Sequence, residues 1–294
     1  MIRKIAGITL IATLAVFATG CFETEYTIGI KRDGSGAITQ TVLISKEMME
    51  MGKNAGGQAP PQDGKNPMIE GMLKTDELKD TLDKIFGEGV ELKTAEPFKK
   101  GDREGVKFVF TFKDINKINV LPDPMPKTAK KKKRGPQADK ITPGLLSGNK
   151  KPIKFKFVEA TGGSPAKLTI LSEGVSTEGI AGAGPADNPQ ADNEMAKQMM
   201  EMMKEMMAGM RVRVNVKIDG SIVKSDATYL DKDKKLVDLI DVKIGDIIAN
   251  EDLMNKFKAM EGKDEEAVKK FMEKPEVKAV MKVETKKKVT VEFK

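Results

Sequence analysis

Apolar and polar residues alternate in several short segments of the chain, a pattern typical of β-strands that bury one face. The first such segment, Glu23 to Ile30, is followed by a second β-rich segment from Ala37 to Ile44. The inward side of the first segment is expected to carry Tyr26, Ile28 and Ile30. Asp33 and Gly34 lie between the two segments, and Asp-Gly favours a tight turn because glycine accepts a positive φ. The two segments therefore predict a β-hairpin.

The same criteria predict eight further strands along the chain. They are Val90–Ala95, Val106–Phe112, Ile153–Glu159, Ala166–Leu171, Arg211–Ile218, Ser221–Leu230, Leu236–Val242 and Met281–Phe293. Polar turn sequences at 99–102 and 161–165 predict that the first four of these strands form two hairpins. Asp219 and Gly220 predict a turn between the fifth and the sixth. The sequence around Asp219 resembles that around Asp33, which indicates either a duplicated unit or two turns that use the same residues independently.

Helical periodicity predicts five helices. They are a stretch that starts at Ser45, Thr75–Phe86, Glu194–Met210, a segment through Leu253, Phe257 and Met260, and Glu265–Met272. Ser45 suits the N-cap position because its hydroxyl can accept a backbone N–H, and Gly87 and Gly89 suit the end of the second helix. Polar sequences rich in glycine or proline near 54–66 and at 122–151 predict flexible loops.

These elements predict an α+β fold. Antiparallel hairpins are expected to form one or two sheets, packed by a few amphipathic helices and connected by long polar loops. Residues 173–193 are rich in glycine, alanine, proline and asparagine, and this composition predicts a disordered linker. The linker would separate an N-terminal α+β region, 21–172, from a C-terminal α+β region, 194–294.

Residues 1–20 have the layout of a secretory signal peptide. Arg3 and Lys4 precede an apolar run from Ile5 to Phe17, and small residues follow up to Gly20. The run is shorter than the roughly 20 residues that a membrane-spanning helix needs, which favours removal over retention as an anchor. We therefore expect cleavage after Gly20.

Cys21, the only cysteine of the chain, directly follows Gly20. The sequence Ala18-Thr19-Gly20-Cys21 resembles the lipobox of bacterial lipoproteins, in which a dedicated signal peptidase cuts before a cysteine that already carries diacylglycerol. The resemblance implies lipid on Cys21, and two or more acyl chains give stable anchoring where one chain is marginal. Under the sorting rule of Gram-negative lipoproteins, Phe22 in place of aspartate after the cysteine favours the outer membrane over the inner membrane.

Composition excludes several classes of function. The chain has 294 residues, no histidine and no tryptophan, and a net charge of +7. Without histidine, neither a Ser-His-Asp or Cys-His catalytic site nor a histidine-bearing zinc or haem site can form. Loss of residues 1–20 removes Arg3 and Lys4 and leaves +5, a mild excess that does not indicate nucleic-acid binding. We expect no enzymatic activity and no cofactor.

The predicted helix 194–210 carries eight of the nineteen methionines of the chain. They are Met195, Met199, Met200, Met202, Met203, Met206, Met207 and Met210. Spacings of three and four place most of them on one wide face. This face can pack on a sheet, can accept acyl chains or a partner because methionine is flexible, or can bind Cu(I) through its soft sulfurs. The candidate copper ligands are Met199, Met203, Met206 and Met210.

The loop 122–151 contains the basic run Lys130 to Arg134. In an exported protein this run can lie free in solvent, or it can contact anionic lipid headgroups at about 1 kcal/mol per basic residue.

Two stretches resemble LppM-like and other uncharacterised bacterial lipoproteins. The first runs from Cys21 through the turn Asp33-Gly34-Ser35-Gly36 to Ile44. The second, within 207–257, contains Ala227-Thr228-Tyr229 and Gly245-Asp246-Ile247-Ile248. The resemblance implies a periplasm-facing or surface α+β lipoprotein, held to the membrane by lipid on Cys21, without a defined activity. Two functions stay open: a non-catalytic module that binds a lipid or an envelope protein, and a copper-binding or copper-delivery protein.

Overall fold

The computed structural model describes residues 22–46, 48–50, 66–75, 82–121, 152–172, 201, 207, 209–260 and 262–294. The strands are β1 Phe22–Ile30, β2 Gly36–Ile44, β3 Glu91–Lys100, β4 Arg103–Phe112, β5 Asn119–Val120, β6 Ile153–Val158, β7 Ala166–Leu171, β8 Arg211–Ile218, β9 Ile222–Ser225, β10 Leu236–Lys243, β11 Met281–Val283 and β12 Lys288–Phe293. The helices are α1 Pro67–Leu73, α2 Leu82–Phe86, α3 Ile244–Ala249, α4 Glu251–Lys258, α5 Glu265–Met272 and α6 Pro275–Val280. These elements confirm the predicted α+β class.

The strands form two sheets. The first has seven strands in the order β11-β10-β8-β1-β2-β4-β3, and the second has five in the order β5-β6-β7-β12-β9. Strand β1 pairs with β8 in parallel, whereas the other strand pairs are antiparallel. Both sheets contain strands from the predicted N-terminal region and from the predicted C-terminal region. The predicted linker 173–193 lies outside the described residues.

The β1–β2 hairpin is confirmed, with Phe22 opposite Ile44 and Ile30 opposite Gly36. At its turn, the Asp33 carboxylate accepts hydrogen bonds from the backbone N–H of Ser35 at 3.0 Å and from its hydroxyl at 2.7 Å. Gly34 has a φ of 78°, which a residue with a Cβ rarely adopts. The predicted hairpins β3–β4 and β6–β7 are confirmed as well.

Two of the predicted strands are much shortened or divided in the structure. Ser221–Leu230 contributes only β9, and the preceding Asp219-Gly220 does not close a hairpin: it takes the chain from β8 in the first sheet to β9 in the second. The crossing is held by paired backbone hydrogen bonds between Ser221 and Lys294. The Asp-Gly sequences at 33 and at 219 therefore occupy different structural settings.

The predicted strand Met281–Phe293 divides into β11 and β12, which belong to different sheets. Glu284, only 3% exposed, lies at the break. Its carboxylate accepts hydrogen bonds from the backbone N–H and hydroxyl of Thr228 and from the backbone N–H of Lys286. These bonds fix the bend between the two strands.

The helix predictions succeeded in part. Ser45 is an N-cap, since its hydroxyl accepts the backbone N–H of Met48 at 3.2 Å. Of the predicted helix Thr75–Phe86, the structure describes Thr75, which is not helical, and Leu82–Phe86, which forms α2. Residues 76–81 lie outside the described residues. Helices α1, α3 and α6 were missed. Helices α1 and α6 each have proline in the first turn, where the missing N–H is not needed.

The two sheets and the helices enclose one continuous apolar core. The inward side chains of β1 are those predicted, and Tyr26, Ile28 and Ile30 are each at most 3% exposed. Phe110 of β4 is completely buried and packs against Phe86 of α2, with ring centroids 4.8 Å apart. No helix in the described part of the chain is long and apolar enough to cross a membrane.

Candidate functional site

Strand β1 begins at Phe22, the residue that follows the predicted lipid-bearing Cys21. Phe22 is 8% exposed and lies opposite Ile44. Gly20 and Cys21 themselves lie outside the described residues. Any group carried by residue 21 is therefore joined, without a spacer, to an interior strand of the seven-stranded sheet.

The carboxylate of Glu23 lies beside this chain start and is 7% exposed. Arg103 donates to it at 2.7 Å, and the Lys100 ammonium donates to its other oxygen at 3.3 Å. Both cations come from the end of the β3–β4 hairpin, and Glu23 therefore connects that hairpin to the first residues of β1.

A network of ion pairs continues from Glu23 across the outer face of the first sheet. Arg211 on β8 makes two hydrogen bonds to Asp241 on β10, at 2.7 and 2.8 Å. Arg213 donates to Asp238 at 2.9 Å and lies 3.5 Å from Glu25. These residues alternate along their strands with core valines, which places the charged groups on the outer side.

Asn215 continues the network and is completely buried. Its amide donates to Glu25 at 3.1 Å, but within the described part of the chain neither its side-chain oxygen nor Nε of Arg213 has a hydrogen-bond partner. The network is thus incompletely satisfied, and most of its charged groups are engaged with one another.

The Arg211–Asp241 pair changes the ionisation of both groups. Burial acts to raise the pKa of Asp241, but the hydrogen bonds and positive charge of Arg211 prevail and lower it below its ordinary value. The hydrogen bond to Asp241 raises the pKa of Arg211 in turn. Because the folded-state pKa of Asp241 is depressed, the pair stabilises the fold above about pH 4, and this contribution is lost as the pH falls through the folded-state pKa.

Arg211→Met is expected to lower the free energy of unfolding by about 1–3 kcal/mol at pH 7, because it leaves a nearly buried carboxylate without its main partner. Urea unfolding at pH 7 and pH 3 should show the deficit shrinking in acid, because the contribution of the pair falls as the pH drops toward the lowered pKa of Asp241. Lys282→Met, which removes only a nearby charge, is the control and should cost less than about 0.5 kcal/mol. An Arg211→Met deficit of the same size at both pH values would contradict this account.

Three of the four candidate copper ligands, Met199, Met203 and Met206, lie outside the described residues. Met210 and the neighbouring Met207 are each 5% exposed and belong to the apolar core. The backbone carbonyl of Met210 accepts a hydrogen bond from Gly245, which ties the end of this segment to α3. The basic run Lys130 to Arg134 also lies outside the description.

Sequence reasoning missed the charged network. Alternation with Val212 and Val214 shows that Arg211 and Arg213 point away from the core, but it does not show which strands lie beside them. Their acidic partners Asp238 and Asp241 come from β10, and Glu25 comes from β1. The sequence did contain one signal of this network: both outward-facing residues in the first half of β8, Arg211 and Arg213, are charged.

Comparison with known proteins adds little to this picture. No protein-family model and no curated protein sequence matches the chain. Among solved structures, the folded domain of LppM from Mycobacterium tuberculosis, determined by NMR, is similar with 9% sequence identity and a TM-score of 0.28. The match covers 77% of this chain and 85% of that one. A likeness of this size does not indicate a function for this chain.

Proposed function

We propose that this chain is a lipid-anchored protein of the bacterial envelope, carrying its lipid on Cys21. It acts as a non-catalytic binding or structural module at the membrane surface. The observation that carries the proposal is the lipobox-like sequence ending at Cys21 together with the start of β1 at the very next residue.

This junction holds the folded body close to the membrane. One extended residue spans about 3.3 Å, so the first residues of β1 would lie within a few ångströms of the lipid that residue 21 carries. The β3–β4 turn lies at the same end of the sheet, because Arg103 and Lys100 bind Glu23. Lys99 and Lys100 on this turn are exposed, and each is paired with a carboxylate, Lys99 with Glu104 and Lys100 with Glu23.

The outer-face network supports a structural rather than a catalytic role for its charged residues. Arg211, Asp241 and Arg213 are committed to partners within the protein. The chain has no histidine to act as a general base near neutral pH, and its single cysteine is the proposed lipid carrier.

Membrane fractionation tests the anchor. After export, the protein should stay with the membranes through washes in high salt and at alkaline pH, and only detergent should release it, because acyl chains are held by apolar burial. Release by salt alone would show that attachment is electrostatic, and the proposal would then be wrong. Where the organism has two membranes, density separation should place the protein in the outer one, as Phe22 favours.

The methionine content of 194–210 supports copper binding as a second candidate function. Soft thioether sulfurs select Cu(I), and Met199, Met203 and Met206 lie at helical spacing, whereas Met210 is buried in the apolar core. Titration of the protein with Cu(I) under reducing conditions decides this candidate. Submicromolar binding that is lost in a Met199→Leu, Met203→Leu, Met206→Leu variant would support it, and absence of such binding would eliminate it.

A further inference from the structure

The outer face of the five-stranded sheet is basic. Cross-strand pairing places Lys154 opposite Leu171, and Leu171 opposite Lys288. A second row of paired residues crosses the other end of the sheet: Val158 lies opposite Lys167, Lys167 opposite Glu292, and Glu292 opposite Lys224. Paired residues of neighbouring strands point to the same side of a sheet. We call this surface the basic face, and its charged members are Lys154, Lys156, Lys167, Lys224, Lys288 and Glu292.

The five lysines of the basic face are exposed, and none of them forms an ion pair in the described part of the chain. Glu292 is the one acidic residue in these rows, and it lies between Lys167 and Lys224. The outer face of the first sheet differs, because its arginines are paired with carboxylates. The basic face therefore carries five lysines against one carboxylate, and among the described residues none of these lysines is held in an ion pair.

Exposed apolar side chains accompany this charge. Val158 is 64% exposed and lies on the basic face, and Val223, 51% exposed, directly precedes Lys224. Among the described residues, they are two of the three large apolar side chains that are exposed, and Met68 is the third. An open cleft of about 660 Å³ lies beside β6, and Lys154, Lys156 and Val158 form part of its lining. Lysines combined with exposed aliphatic groups are typical of surfaces that bind a membrane interface.

We propose that the basic face docks on the surface of a bilayer containing anionic phospholipids. The ammonium groups of its lysines bind the headgroup phosphates, and Val158 enters the interfacial layer. The exposed side chain of Val158 favours a bilayer over a soluble polyanion, which offers no apolar layer. This contact is independent of the lipid on Cys21, because no residue of the basic face belongs to β1.

The basic face also lies away from the proposed anchor. Gly34, at the turn that follows β1, lies against the Phe157 ring of β6, so the second sheet adjoins the end of β1 opposite to Cys21. The nine residues of β1 span about 30 Å. Electrostatic attraction to a bilayer decays within about 8 Å at physiological ionic strength. If both contacts form on one membrane, β1 therefore runs along the surface rather than away from it.

Vesicle binding by the unlipidated chain 22–294, which contains every described element, tests the proposal. The protein should bind vesicles that contain phosphatidylglycerol, should bind pure phosphatidylcholine vesicles much more weakly, and should lose binding as salt is raised. Lys154→Gln, Lys156→Gln, Lys288→Gln should weaken binding about 100-fold, at roughly fivefold per lysine. These side chains are exposed, and circular dichroism should show an unchanged fold.

The matched control is Lys263→Gln, Lys269→Gln, Lys278→Gln, which removes the same charge from exposed positions in the helical part of the fold. It should weaken binding by less than about fivefold. Val158→Ser should reduce vesicle binding but leave binding to soluble polyphosphate unchanged. Equal losses in the two lysine variants, equal binding to both kinds of vesicle, or no vesicle binding at all would each overturn the proposal. None of these outcomes depends on acylation of Cys21.

Discussion

Replacing Cys21 with serine is expected to abolish both acylation and cleavage after Gly20. A peptidase that cuts before a diacylated cysteine has no substrate in this variant, so the chain should keep residues 1–20 and migrate as the larger precursor. The variant should also incorporate no fatty acid, because serine offers no thiol to carry the diacylglycerol. Immunoblotting measures the size of the protein, and labelling with radioactive palmitate measures its acylation.

Gly20→Ala is the matched control for this variant. It keeps a small residue before the cysteine, and we expect normal size and normal membrane attachment. A Cys21→Ser protein that has mature size and still enters the detergent phase would contradict the proposed anchor, because attachment would then reside elsewhere in the chain.

Gly105→Ala is expected to lower the free energy of unfolding by about 3 kcal/mol or more. Gly105 lies in β4 between Leu43 of β2 and Phe98 of β3. A Cβ at this position would lie 1.8 Å from the carbonyl oxygen of Val42 and 2.9 Å from the Cα of Leu43. These are backbone atoms of the paired strand, which cannot move without breaking the β2–β4 ladder. Urea denaturation followed by circular dichroism measures the loss.

Gly71→Ala provides the control for this substitution and should have the opposite sign. Gly71 lies within α1, and a Cβ there would meet no atom within 4 Å. Alanine in a helix is favoured over glycine by about 0.5–1 kcal/mol, so the variant should be slightly more stable than the wild type. If both glycine variants had the same effect, the close approach of β2 and β4 would not explain the result.

The local pairings could be predicted from the sequence, because their signals are close together in the chain. Alternation from Glu23 to Ile30, the Asp33-Gly34 turn and the segment up to Ile44 predict one hairpin with its inward face. The same reasoning succeeded for β3–β4 and β6–β7. In each case a short turn limits the possible partners of a strand to its neighbour.

The pairings between distant segments could not be predicted in this way. Strand β8 lies beside β1 in parallel, although nearly the whole predicted N-terminal region separates them. The alternation of Val212, Val214 and Val216 shows which side is buried but carries no information about the neighbouring strand. The crossing of the chain between the two sheets at Gly220 could not be predicted for the same reason, since Asp-Gly indicates a turn but not the sheet that receives the next strand.

The same distinction between local and distant pairings applies to the basic face and to the proposed anchor. Lys154 and Lys156 alternate with Phe155, and this pattern alone shows that they face outward. Their proximity to Lys288 and Lys224 depends on the pairing of β6, β7, β12 and β9, which sequence reasoning did not provide. The proposed anchor at Cys21 could be predicted from the sequence alone, because a processing enzyme recognises a short linear segment that does not depend on strand pairing.

The mass of the mature N-terminal peptide tests the central claim most directly. We expect protein purified from its native membrane to begin at Cys21 and to carry the added mass of at least two acyl chains on that residue. An N-terminal peptide that begins elsewhere, or that begins at Cys21 without acyl groups, would contradict the proposal that this protein is held to the envelope by lipid.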